Sequence, residues 1–162
     1  MAKMNLEKTK SEMQGLTKSI EQRKEKLSDL EASKQEAIDI RMSLEKADGL
    51  DEGIRASLER GMSEMRSEVT EKGEKESESM GEEISRLEEM REELDRSLEE
   101  NQRQASRLES GKKTLDKVGL GGNIEQMIDN LDQNRSDLES VKEELIDIQR
   151  NAEEVSSKLS ML

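Results

Sequence analysis

The chain contains no Pro, Cys, His, Trp, Tyr or Phe. Each absence excludes something. Without aromatic rings, which bring the largest single apolar areas to a core, a thick multi-layer interior is hard to build. Without cysteine there are no disulfides and no thiolate zinc sites, and the redox compartment is not encoded. Without histidine the commonest acid/base group and metal ligand is missing. Proline costs roughly 3 kcal/mol inside a helix, so its absence from 162 residues points to a chain that is mostly helical. No apolar run approaches the ~20 residues that span a bilayer. The opening Met1-Ala2-Lys3-Met4-Asn5-Leu6 lacks the apolar run of a cleavable signal peptide. The expected location is cytoplasmic, with signal-peptide-independent secretion as the other route.

What is present is charge: 41% of residues, against 30% apolar, with a net charge of −13. The charge is uneven. Residues 1–50 balance ten basic against ten acidic, residues 51–110 carry ten against nineteen, and residues 111–162 seven against eleven. Such a field repels nucleic acid and anionic membranes and favours a basic partner. Scattered, the apolar residues would suit disorder. They are instead spaced at a helical period, which is the compositional mark of a coiled coil.

Two glycine turns divide the pattern into three helices, predicted at about 4–46, 52–118 and 123–162. In the first, Leu6, Met13, Ile20 and Leu27 recur every seven residues and Leu16, Leu30, Ala37 and Leu44 fill the offset positions. Thr9, Arg23, Lys34 and Arg41 interrupt this seam. In the turn that follows, Gly49 suits the left-handed conformation that closes a helix, and Asp48 or Asp51 suits the next cap. The second helix opens with Ile54, Leu58, Met62, Met65 and Val69 and then lacks large apolar residues until Met80. Gly73 and Gly81 in that stretch suggest a bend or hinge near 70–81. The seam resumes with Met80, Leu87, Leu94, Asn101, Leu108 and Leu115. Gly119-Leu120 repeats the Gly-Leu stop, and Asn123 with Gln126 resembles a capping box. The third helix is the most regular: Ile124, Leu131, Leu138, Leu145, Ala152 and Leu159 in one row, Met127, Asn134, Val141, Ile148, Val155 and Leu162 in the other.

Turns this short make neighbouring helices antiparallel. The expected fold is all-α, an elongated antiparallel coiled-coil bundle of three long helices forming a single domain over 1–162. An alternative subdivision has a first hairpin at 1–72 and a second at 80–162.

The residues offer little catalytic chemistry. Nucleophilic triads lack their base or nucleophile. The carboxylate pairs Glu82-Glu83, Glu88-Glu89 and Glu99-Glu100 lie on a face with nothing to bury them and tune a pKa. Gly111-Lys112-Lys113-Thr114 misses the phosphate-loop pattern at Ser106 and Lys113. The expectation is a non-enzyme with no cofactor and no metal, acting by protein binding or self-association. The third helix bears more apolar surface than one neighbour covers. Leu131, Leu138, Val141, Leu145, Ile148, Val155 and Leu159 are therefore the partner-binding candidates. Asn101 and Asn134, polar residues on apolar rows, are candidates for setting register. Met62, Met65, Met80 and Met127 read as core packing, or as an adaptable binding surface.

Long antiparallel helices, glycine turns, an acidic surface and no signal peptide together resemble the helical-hairpin partner and leader proteins of bacterial type VII secretion and its polymorphic toxins. The resemblance is architectural. The absence of Trp and Tyr removes the family's Trp-x-Gly turn and Tyr-based export signal, and Leu120-Gly121-Gly122 matches only a bare Leu-x-Gly. It implies a chaperone-like role beside a larger secreted toxin. A third expectation is an acidic inhibitor whose middle third covers a basic site.

Overall fold

A computed structural model describes residues 5–47, 49–119 and 121–162. These residues form an all-α helical bundle, with no strand among them. α1 spans Leu6–Lys46, α2 spans Glu52–Asp116 and α3 spans Gly122–Ser160.

The helix ends follow local chemistry. Asn5 caps α1, its Oδ1 accepting the Lys8 amide at 3.2 Å. At the first turn Gly49 has φ +87°, the left-handed region in which only glycine is unstrained. The Ala47 carbonyl just past α1 accepts from the Arg55 guanidinium at 3.0 Å. Asp51 holds the cap position of α2, its carbonyl taking the Arg55 amide. Asp48 and Leu120, read above as cap and stop residues, lie outside the described residues, as do Met1–Met4. At the second turn Gly119 has φ +78° and closes α2 two residues before the expected end. The expected capping box at Asn123 is not used. α3 starts one residue earlier, with the Gly121 carbonyl receiving the Glu125 amide. α2 is helical throughout 70–81.

The chain divides into two compact units. The first joins Met1–Gly15 to Ser85–Gln149, and the second joins Leu16–Ile84 to Arg150–Leu162. Each unit thus draws on all three helices, and neither is a contiguous stretch of chain.

In the first unit α2 and α3 run antiparallel. Asn101 bonds to Leu131, Asp95 pairs with Lys142 and Lys112 with Glu125, so partner numbers fall as α2 advances. Met13, Leu87, Met90, Leu94, Leu138, Val141 and Leu145 form the core, all at most 3% exposed. Fully burying a Leu or Met side chain contributes about 1.5–3 kcal/mol, so this short row supplies much of the unit's stability. Arg86 of α2 grips Glu12 of α1 through Nε and Nη2, the second bond at 2.9 Å. This is the bidentate geometry that makes Arg–carboxylate pairs strong and directional.

In the second unit α1 and α2 are the antiparallel pair. Ser19 donates to Glu83 at 2.7 Å, and Lys26 pairs with Glu76 at 2.9 Å. Ile20, Leu27, Ala37, Leu44, Met62, Val69 and Met80 are buried. The end of α3 adds Ala152, Val155 and Leu159. Its close approach is permitted by small α2 side chains. Ser77 Oγ lies 3.1 Å from the Ser156 carbonyl and Thr70 Oγ1 lies 3.3 Å from that of Leu162. Between them, a Cβ on Gly73 would stand 2.5 Å from the Leu159 carbonyl oxygen. The stretch without large apolar residues, read above as a bend or hinge, is therefore where α2 admits the backbone of α3.

Candidate interaction surfaces

Five of the seven partner-binding candidates on α3 are core residues of the chain itself. Leu138, Val141, Leu145, Val155 and Leu159 are at most 3% exposed. Leu131 and Ile148 are half-buried. The cover that α3 requires is thus supplied largely by α1 and α2. Periodicity shows how wide an apolar stripe is, but not how much of it the rest of the chain covers.

The two asparagines part company. Asn101 is 3% exposed and donates from Nδ2 to the Leu131 carbonyl at 2.9 Å, tying α2 to α3 at one register. Its Oδ1 is buried with no hydrogen-bond partner. Asn134 is exposed. The methionines divide similarly: Met80 and Met62 are core, Met65 is half-buried and Met127 is 53% exposed. Met90, buried to 1%, lies off the rows from which the core was read.

One seam interruption proves to be a polar lock. Arg23 takes a seam position of α1, and its guanidinium bonds the Glu76 carbonyl at 3.1 Å, Ser79 at 3.0 Å and Glu83 at 2.9 Å. Glu83 is accordingly half-buried, which corrects the placement of the Glu82-Glu83 pair on an unburied face. A glutamate at 76 and another at 83, seven apart on α2, form the sequence signal that answers Arg23. Gly111-Lys112-Lys113-Thr114 lies inside helical α2, where Lys112 pairs with Glu125 at 2.7 Å. That bond lowers the Glu125 pKa and raises that of Lys112. Among the described residues no group of acidic side chains is arranged to hold a metal ion. Nor, among them, is any helix long and apolar enough to cross a membrane.

Besides Val118 and Met161, which lie just past the ends of α2 and α3, apolar groups are exposed on two surfaces. In the second unit, α2 continues on the N-terminal side of Thr70, where α3 ends. Along this part of the α1/α2 pair Ile40, Met42, Ile54 and Leu58 are 38–53% exposed. In the first unit, α1, α2 and α3 together line a groove of about 1040 Å³ that includes Asn101, Leu108, Met127 and Leu131.

Comparisons with protein-family models, with curated proteins and with solved structures find no match.

Proposed function

We propose that the chain is a non-enzymatic coiled-coil protein-interaction module, an adaptor or structural element that binds by helix packing. The observation that carries this reading is the exposed row on the α1/α2 pair of the second unit. Ile54 and Leu58 are one helical turn apart on α2 and are 53% and 41% exposed, while Met62, a turn further on, is 8% exposed. An apolar row that leaves the core while keeping its helical spacing is what a helix-in-groove contact uses. Glu52, Glu59 and Glu64 alternate on the same helix with Arg55, Arg60 and Arg66, so the row is flanked by both signs of charge, which favours a partner with mixed flanks.

The test is a tagged pull-down from the native cells, with the stoichiometry of co-purifying proteins determined, run on the natural chain and on Ile54→Asp/Leu58→Asp. A partner at about one-to-one that the double variant loses supports the reading. A partner retained unchanged moves the contact off this surface. Recovery of the chain alone, at a multiple of its own mass, makes it a self-assembling element.

A further inference from the structure

The sign of the charge reverses along α2. Residues 88–102 hold two basic and seven acidic residues, whereas residues 103–117 hold five basic and two acidic, a local +3 in a chain of net charge −13. Arg103, Arg107, Lys113 and Lys117 follow at steps of four, six and four, which keeps them on one side of a 3.6-residue helix. Ser106, Ser110 and Thr114 fill the places between them, and no acidic residue does. All seven are exposed. The side turned to α3 is the opposite one, where Ala105 is buried and Leu108 and Leu115 are half-buried. Arg103 reaches Glu99 and Glu100 only at 3.7 Å. Among the described residues Arg107, Lys113 and Lys117 have no ion-pair partner. The helix dipole favours cations only in the last turn. It accounts for Lys113 but not for Arg103 and Arg107, more than two turns before Asp116, where α2 ends.

The basic row runs into an exposed aliphatic turn. Lys117 is followed by Val118, 66% exposed, and by Gly119 with φ +78°. The first turn, Asp48-Gly49-Leu50-Asp51-Glu52, has the same Gly-Leu order among acidic residues, so the turn itself does not call for lysine. Cations beside an exposed aliphatic group suit an anionic lipid surface. The charges meet the headgroup phosphates, the lysine stems lie along the interface and the aliphatic group enters the acyl boundary. Nucleic acid fits less well: Val118 gains nothing from a phosphate backbone, and the chain has no aromatic ring to stack on a base. The net charge of the chain opposes such a contact only at long range. Screening at physiological salt acts over about 8 Å. Glu99 stands eleven residues from Ser110 at the middle of the row, about 16 Å along the helix. α3, with Glu125 and Asp129, lies across α2 from the row, about a helix diameter of 10 Å away.

We propose that the basic row of α2 and the turn after it form a peripheral contact for an anionic lipid surface, with Arg103, Arg107, Lys113 and Lys117 on the headgroups and Val118 at the acyl boundary. The helix lies along the surface and does not cross it. The contact belongs to the first unit and is independent of the row at Ile54 and Leu58. A chain that holds a partner through one and lipid through the other brings that partner to a membrane.

The test is co-sedimentation of the full chain with vesicles of phosphatidylcholine alone and of phosphatidylcholine with roughly one third phosphatidylserine. Binding is expected to the anionic vesicles only, and to fall as salt rises from about 0.05 to 0.5 M. Each cation near an anionic leaflet strengthens attachment about fivefold, so Lys113→Gln/Lys117→Gln should weaken it about 25-fold. Val118→Ser should weaken it about fivefold, through lost apolar contact. Lys72→Gln/Lys75→Gln, which removes two exposed cations elsewhere on α2, should leave it unchanged, and circular dichroism should be the same for all three variants. No binding, equal binding to the two kinds of vesicle, or binding indifferent to Lys113→Gln/Lys117→Gln overturns the proposal. So does vesicle binding that Val118→Ser leaves intact and a short DNA duplex displaces, because the row would then be a site for nucleic acid.

Discussion

Gly73 and Gly81 look alike in the sequence, two poor helix formers in a stretch without large side chains. Their surroundings separate them. A methyl group on Gly73 would meet the Leu159 carbonyl oxygen and the Leu162 side chain, whereas one on Gly81 would meet nothing within 4 Å. Gly73→Ala should therefore force α3 outward and lower stability by about 1–3 kcal/mol, the usual cost of overpacking. Gly81→Ala should raise stability by about 0.5–1 kcal/mol, because alanine is the better helix former and nothing opposes it. Urea unfolding followed by circular dichroism measures both, and equal effects would remove the close approach of α3 from this account. Propensity recorded the glycines but not their roles, because the role of Gly73 is set by a carbonyl 86 residues further along the chain. Arg23 teaches the same lesson: a charge on an apolar seam reads as a flaw until Glu76, Ser79 and Glu83 are seen around it.

At the level of elements, the heptad rows and glycine turns located all three helices to within about two residues at each end, consistent with the precision of such boundaries. They did not separate core from surface on α3. Val141 and Val155 are buried and Met127 is exposed, although all three share one row. What distinguishes them is where the other helices begin and end, which the period of a single helix does not encode. Leu145→Ala, at a site with 0% exposure, should cost about 2–5 kcal/mol, while Met127→Ala should change stability by less than about 0.5 kcal/mol. Thermal melts of the pair would check the division.

The docking of the α1 start is also open to test through pH. The hydrogen bond from Arg86 holds the Glu12 carboxyl below its ordinary value of 4.5, outweighing the opposing effect of burial. A carboxyl depressed in the folded state contributes stability that is complete above the unfolded value. That contribution is lost as pH falls through the lower folded value. With both side chains about a third exposed, solvent limits the pair to about 0.5–1 kcal/mol. Glu12→Gln should be less stable than the natural chain by that amount at pH 7 and indistinguishable from it near pH 2. Urea midpoints at the two pH values give the comparison.

For the molecule as a whole, the absence of aromatic rings places the core on Leu, Met, Ile, Val and Ala, held in two units that each take a part of every helix. The exposed row at Ile54 and Leu58 lies outside that core. Ile54→Asp/Leu58→Asp should therefore shift stability by no more than about 0.5 kcal/mol per site while removing the proposed partner contact. A variant that unfolds instead would return these residues to the core. The sequence made the all-α class legible at this scale, since it is a summed property. Which apolar groups stay outside was not, since that depends on the termination of α1 and α3 against α2.

Glu12 meets Arg86 across 74 residues of chain. At about 5–20 residues per second, a ribosome needs roughly 4–15 s to make the stretch between them. Through that interval the first turns of α1 have emerged without the segment of α2 that will hold them. The first unit can close only once the chain has been made as far as α3, so the seam on the first turns of α1 is open to other nascent chains before its own partners exist.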